Sequence, residues 1–188
     1  MVAAPPLRFS FRDYLLVDDA SSAKHEYLHG MILGMAGGTP EHARLCAAVV
    51  TALGRALEGQ PCVVFSEALR IRALATGFAG YPDVTVVCSA LARDPEDKNT
   101  VTNPTVVVEV LSPSTEDYDR GEKFAQYRRI PSLRHVVFVH HDRVQIDVWT
   151  RADDTWSECS FGAGAHAPLS ALGCELDVAA LYRDPLAQ

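Results

Sequence analysis

Hydrophobic residues run almost unbroken through 106–111, Val-Val-Val-Glu-Val-Leu, and the single interruption is a carboxylate, Glu109. A short continuous apolar run predicts a strand buried on both faces. Similar β-rich runs predict strands over 62–73 ("CVVFSEALRIRA") and 81–88 ("YPDVTVVC"). Two more follow in "LRHVVFVHH" and "RVQIDVWTR", around a turn at Asp142 and Arg143, and "TWSECSF" adds another. Helical periodicity is clearest in "TPEHARLCAAVVTALGRALEG", where Leu45, Val49, Ala52, Leu53 and Leu57 form one stripe. Thr39 suits its N-cap, Pro40 its first turn and Gly59 its stop. "DRGEKFAQYRRI" reads as a second helix, ended by Pro131. Before these come a short helix, "SFRDYLLVDD", capped by Ser10, and a hairpin around Gly30 in "HEYLHGMILGMAG". "ELDVAALYRD" closes the chain with a short helix. The order is helix, three strands, helix, strands, with an N-terminal helix and hairpin. It predicts an α/β sandwich with a mixed (α+β) sheet, in one domain spanning 1–188.

Glu109 needs an explanation, because an unpaired buried charge costs several kcal/mol or more. A second conspicuous acid, Asp83, follows Pro82 where a strand begins, at a sheet edge. Carboxylates on adjacent strands can share a divalent cation, and hard oxygen donors suit Mg²⁺ or Mn²⁺. Such an ion, assisted by the Val110 carbonyl, compensates both charges and contacts phosphate. Phosphodiester hydrolysis also calls for a cation that orients water and offsets developing charge. The position two residues after Glu109 is Leu111, so the nearest downstream lysine is Lys123 on the next helix. Asp119, Lys123 and Tyr127 are spaced four apart and share one face there. Lys123 lies beside the apolar stripe, from which a long stem can return its ammonium to the sheet end. An Asp119–Lys123 surface pair explains the same spacing, and for Glu109 the competing reading is a structural ion pair. "HHD" at 140–142 is a poor chelate, since neighbouring strand residues point to opposite faces.

The net charge of −7 argues against a surface that binds nucleic acid everywhere. Its distribution is uneven: from Arg120 to Arg151 there are seven Lys/Arg against three Asp/Glu. Arg120, Arg128 and Arg129 are the candidate nucleic-acid contacts in that window. No apolar stretch approaches the roughly 20 residues of a membrane span, and the first residues lack a signal-peptide core. A cytoplasmic location is the expectation. The five cysteines (46, 62, 88, 159 and 174) are scattered and contain no C-x-x-C pair. They read as reduced core thiols, with neither a disulfide framework nor a zinc site expected.

"YPDVTVV", then "VVVEVLSPSTEDYDRGEKFAQYRRIPSLRHVVFV", then "DRVQIDVWTR" resemble the Uma-two family of candidate endonucleases, in the PD-(D/E)XK, restriction-endonuclease-like superfamily. "HEYLHGMILGMAGGTPEHARL" resembles the family's opening, so the likeness spans roughly 10–182. The resemblance implies that Asp83 is the PD aspartate, that Glu109 is the (D/E), and that Lys123 is a functional lysine moved to the following helix. It also implies a further acid, for which Glu41 and Glu26 are both candidates. His42 matches a recurrent family histidine near the site, and a capping or packing role at the helix start explains it equally well. Tyr127 is a further accessory candidate. The expected activity is Mg- or Mn-dependent cleavage of nucleic acid, DNA before RNA. A non-catalytic nucleic-acid-binding module and a structural homodimer are the other readings.

Overall fold

The computed structural model describes residues 8–35, 37–184 and 186. The stretch 1–7, in which no signal-peptide core is expected, lies outside them. The described residues contain no helix long and apolar enough to cross a membrane.

Helix α1 (Phe11–Ala20) starts at Ser10, whose side chain and that of Asp13 form a capping box. The hairpin β1 (His25–Leu28) and β2 (Met31–Gly34) turns at His29 and Gly30, both with positive φ. Helix α2 (Pro40–Ala56) begins as its sequence dictates, with the Thr39 side chain accepting from the His42 N–H and Pro40 in the first turn. It buries Leu45, Val49 and Leu53.

A six-stranded sheet lies against α2. It comprises β3 (Val63–Ser66), β6 (Val84–Val87), β8 (Val106–Val110), β9 (His135–Val139), β10 (Gln145–Ala152) and β11 (Thr155–Gly162), in the spatial order β11-β10-β9-β8-β6-β3. Only β8 and β9 pair in parallel. The connection between them is helical: α3 (Glu116–Tyr118), a π-helical turn (Asp119–Lys123) and α4 (Phe124–Tyr127). A parallel pair requires such a crossover. A second sheet, ordered β2-β1-β5-β4-β7, adds β4 (Arg70–Ala73), β5 (Phe78–Gly80) and β7 (Thr100–Val101) to the hairpin. A ribbon of β12 (His166–Leu169) and β13 (Cys174–Asp177) precedes α5 (Val178–Tyr182).

Two expectations need correction. The stretch 62–73 is two strands in different sheets, because the chain turns after Ser66, where the Leu69 N–H reaches the Ser66 carbonyl. The thiols are not all reduced: Cys62 and Cys88 form a disulfide. The β3–β6 register, Val63 opposite Val87, carries Cys62 opposite Cys88 although 26 residues separate them. Cys46, Cys159 and Cys174 remain free.

Strand β8 serves two cores. Val106, Val108 and Val110 pack towards α2, while Val107 and Leu111 face Phe124, Tyr127 and Phe138. All five residues of β8 are buried. Burying each valine stabilises by about 1.5–3 kcal/mol, enough in sum to outweigh one partnered carboxylate in the strand.

Candidate active site

Asp83 and Glu109 meet through sheet register. Val84 pairs with Val108 and Thr85 with Val107, so the same antiparallel register places Asp83 opposite Glu109. Pro82 has no N–H for a ladder, and β6 starts only at Val84. The Asp83 carboxylate instead accepts the Val110 N–H at 2.7 Å. Its Oδ2 also lies 3.3 Å from Nε2 of His42 on α2.

Lys123 enters from the crossover. Its Nζ lies 2.9 Å from Glu26 Oε1, 3.1 Å from Glu109 Oε1 and 3.5 Å from Asp119 Oδ1. Lys123 is only 4% exposed, so the stem that was to snorkel along the stripe is covered to its tip. Tyr127 donates its hydroxyl to Glu109 Oε1, and Tyr118 donates to Glu26 Oε2 at 2.7 Å. Glu26 Oε1 has no aligned hydrogen-bond donor despite its nearness to Lys123. A Cβ on Gly80 would lie 2.9 Å from that oxygen and 2.8 Å from the Phe78 ring, so glycine makes room for the acid. Asp83, Glu109, Lys123 and His42 line one cleft of about 470 Å³.

One ammonium therefore faces three carboxylates, with Asp83 close by. Burial pushes the Glu109 carboxyl well above its usual range; Lys123 opposes this, while the charges of Asp119 and Asp83 add to it. Asp119 is raised as well, chiefly by burial. Burial alone would lower Lys123, but Glu109 and the surrounding groups hold it well above its ordinary value, so it stays charged. His42 is raised, first by its hydrogen bond to Asp83.

These directions fix a sign. Between the ordinary carboxylate value and the raised Glu109 value, the folded protein holds more protons than the unfolded chain, so stability falls as pH rises. Urea midpoints of metal-free protein should decline as pH rises above the ordinary carboxylate range. Glu109→Gln keeps the volume and an acceptor for Tyr127, and should flatten this slope and raise stability at its alkaline end. A Gln variant destabilised at every pH would show that the Glu109 charge is structural.

Glu41 and Glu26, equivalent in the sequence, separate here. Glu41 is exposed in the first turn of α2 and does not line the cleft, whereas buried Glu26 reaches Lys123 from β1. Arg120 departs from its expected role. It is bound to Glu116 at 3.3 Å, to Glu158 at 3.1 Å and to buried Asp147, so it ties the crossover to β10 and β11 rather than standing free for phosphate. Arg128 and Arg129 are exposed beyond α4 and do not line the cleft. Tyr118 and Gly80 were missed, because their contacts depend on the packing of β1 against the crossover.

Oxygen donors of Asp83 and Glu109, with Glu26 beside them and an excess of carboxylates over the single ammonium, form a donor set that fits a hard divalent cation. Strands β3, β6 and β8 in antiparallel order, a helical crossover and parallel β9 make a restriction-endonuclease-like fold. A crystal structure from Anabaena variabilis ATCC 29413, described as "a putative nuclease belonging to DUF820", superposes with a TM-score of 0.75 at 17% identity, covering 94% of this chain and 98% of that one. The Uma2 family model, described as "Putative restriction endonuclease", matches residues 11–179, and the chain belongs to that family. Among its relatives is the uncharacterised Synechocystis protein slr1290, 35% identical over 96% of this chain and 95% of the relative. Another uncharacterised Synechocystis protein, sll1609, is 26% identical over 82% and 87%.

Proposed function

We propose that the protein is a metal-dependent endonuclease that hydrolyses phosphodiester bonds in DNA. The observation that carries this reading is the Lys123 ammonium, delivered by the crossover to within 3.1 Å of Glu109. It fills the place that Leu111 leaves without a cation.

Asp83, Glu109 and the Val110 carbonyl would hold Mg²⁺ or Mn²⁺, which would supply Lewis-acid stabilisation of phosphate charge. The chain's own residues do the remainder. Lys123 orients the attacking water and offsets negative charge as it develops. Tyr127 fixes one oxygen of Glu109, and Tyr118 fixes the Glu26 oxygen that Lys123 does not touch. The exposed Arg128 and Arg129 supply salt-sensitive phosphate contacts.

The test is cleavage of a broad panel of supercoiled, linear and single-stranded DNA and RNA with Mg²⁺ or Mn²⁺, with Asp83→Asn as background. Metal-dependent cutting of DNA that disappears in the variant is expected. Salt-sensitive DNA binding without any cutting would replace this reading with a non-catalytic module.

A further inference from the structure

Around Asp83 lies a second set of donors. His42 and Cys46 are one turn apart on α2, and Nδ1 of His42 is 3.6 Å from the Cys46 sulfur. The other ring nitrogen faces Asp83 at 3.3 Å. One imidazole nitrogen, the thiol sulfur and one carboxylate oxygen all lie within 4.8 Å of one another. Zinc bonds of about 2.3 Å to sulfur and about 2.0–2.1 Å to nitrogen or oxygen put ligands about 3.3–3.6 Å apart around a tetrahedral ion. The donors therefore need to draw together by side-chain rotation to close the set around such an ion.

Access and space support an ion here. Cys46, His42 and Asp83 line a depression of about 830 Å³ that adjoins the cleft holding Lys123 and shares His42 and Asp83 with it. Gly38 leaves the His42 ring room, since a Cβ there would fall 2.7 Å from Nδ1. The chemistry differs from that of the acid cluster. Thiolate and imidazole select a borderline-soft ion over Mg²⁺, which is bound by oxygen.

We propose that His42, Cys46 and Asp83 form a Zn²⁺ site, with its fourth position open to water. Because Asp83 belongs to both donor sets, zinc here competes with the hard cation at the acid cluster. The zinc site itself is independent of the nuclease reading; the competition rests on it.

Cobalt substitution tests the site without nucleic acid. Metal-free protein titrated with Co²⁺ should develop a thiolate-to-cobalt charge-transfer band at one equivalent, and Zn²⁺ should bleach it. Cys46→Ser should abolish the band, while Cys159→Ser and Cys174→Ser should retain it. His42→Ala and Asp83→Asn should weaken Zn²⁺ binding by at least the 10–100-fold that follows loss of even an outer-shell partner. Absence of the band in the wild type, its survival in Cys46→Ser, or unchanged affinity in Asp83→Asn would each overturn the proposal. If nuclease activity is absent but the cobalt spectrum behaves as described, the zinc site stands alone. If activity is present, Zn²⁺ should inhibit the wild type and lose potency in Cys46→Ser; equal inhibition of both would refute the competition.

Discussion

Lys123→Met is expected to reduce metal-dependent cleavage by about 10²–10³-fold, the range for losing one preorganised charge-stabilising donor. DNA affinity should change little, because a cation that acts mainly on the transition state contributes little to ground-state binding. Methionine preserves the unbranched stem that lies buried beside Phe124 and removes only the ammonium. Without that ammonium, Glu26, Glu109 and Asp119 face one another with no counter-charge, and the metal-free protein should melt earlier. Added Mg²⁺ or Mn²⁺ should restore more of the melting temperature in the variant than in the wild type, since the ion takes over the missing positive charge. Single-turnover cleavage, DNA binding and melting curves on the same samples separate these effects. Wild-type turnover in the variant would remove Lys123 from the mechanism.

The largest loss of stability is expected from Arg70→Met, at a residue that does not itself line the cleft. Arg70 is 6% exposed and reaches Asp18 at 2.7 Å, Asp97 at 3.0 Å and Asp19 at 3.1 Å, while its Nε donates to Tyr81 at 2.9 Å. Removing it leaves Asp18 buried without its cation, a change that costs about 3–5 kcal/mol. For a chain of this size that lowers the melting temperature by roughly 10 °C. Exposed Arg143, which among the described residues pairs with its neighbour Asp142 and, weakly, His140, serves as the control, and Arg143→Met should stay within about 0.5 kcal/mol of wild type. Acid should erase the difference. Against burial, hydrogen bonds from Tyr81 and His25 and the Arg70 charge hold the Asp18 carboxyl below its ordinary value. Stability from this pair is therefore present above the ordinary carboxylate value and is lost as pH falls through the depressed one. This is the opposite sense to Glu109, whose contribution falls as pH rises. A neutral-pH midpoint for Arg70→Met equal to that of Arg143→Met would refute the assignment.

Glu109, Asp83 and Lys123 were legible because each breaks a local pattern: an acid among valines, an acid after the proline that starts a strand, a lysine beside an apolar stripe. The elements that carry them were legible too, since their periodicity and caps are local. What the sequence concealed depends on pairing between distant strands. The choice of Glu26 over Glu41 rests on β1 pairing with β5 and packing beneath the crossover. The Cys62–Cys88 bond depends on the register of β3 against β6. The break within 62–73 was hidden because Leu69 and Ile71 continue the apolar character of Phe65 although the chain has changed sheets. Arg120 looked available because its partners lie on the crossover itself and on β10 and β11, and no local spacing reveals the last two.

The π-helical turn at Asp119–Lys123 has a consequence for how this site can vary. A π turn holds one residue more than an α turn, so it offsets the angular phase of the helix on either side. Tyr118 before it and Tyr127 after it each address a different carboxylate, Glu26 and Glu109, while Lys123 stands between them. Their alignment depends on chain count as well as on side-chain identity. Substitutions can adjust the strength of any single contact, but the phase changes only by whole residues. The length of the segment between Ser112 and Pro131 is thus as much a part of the site as the residues that project from it.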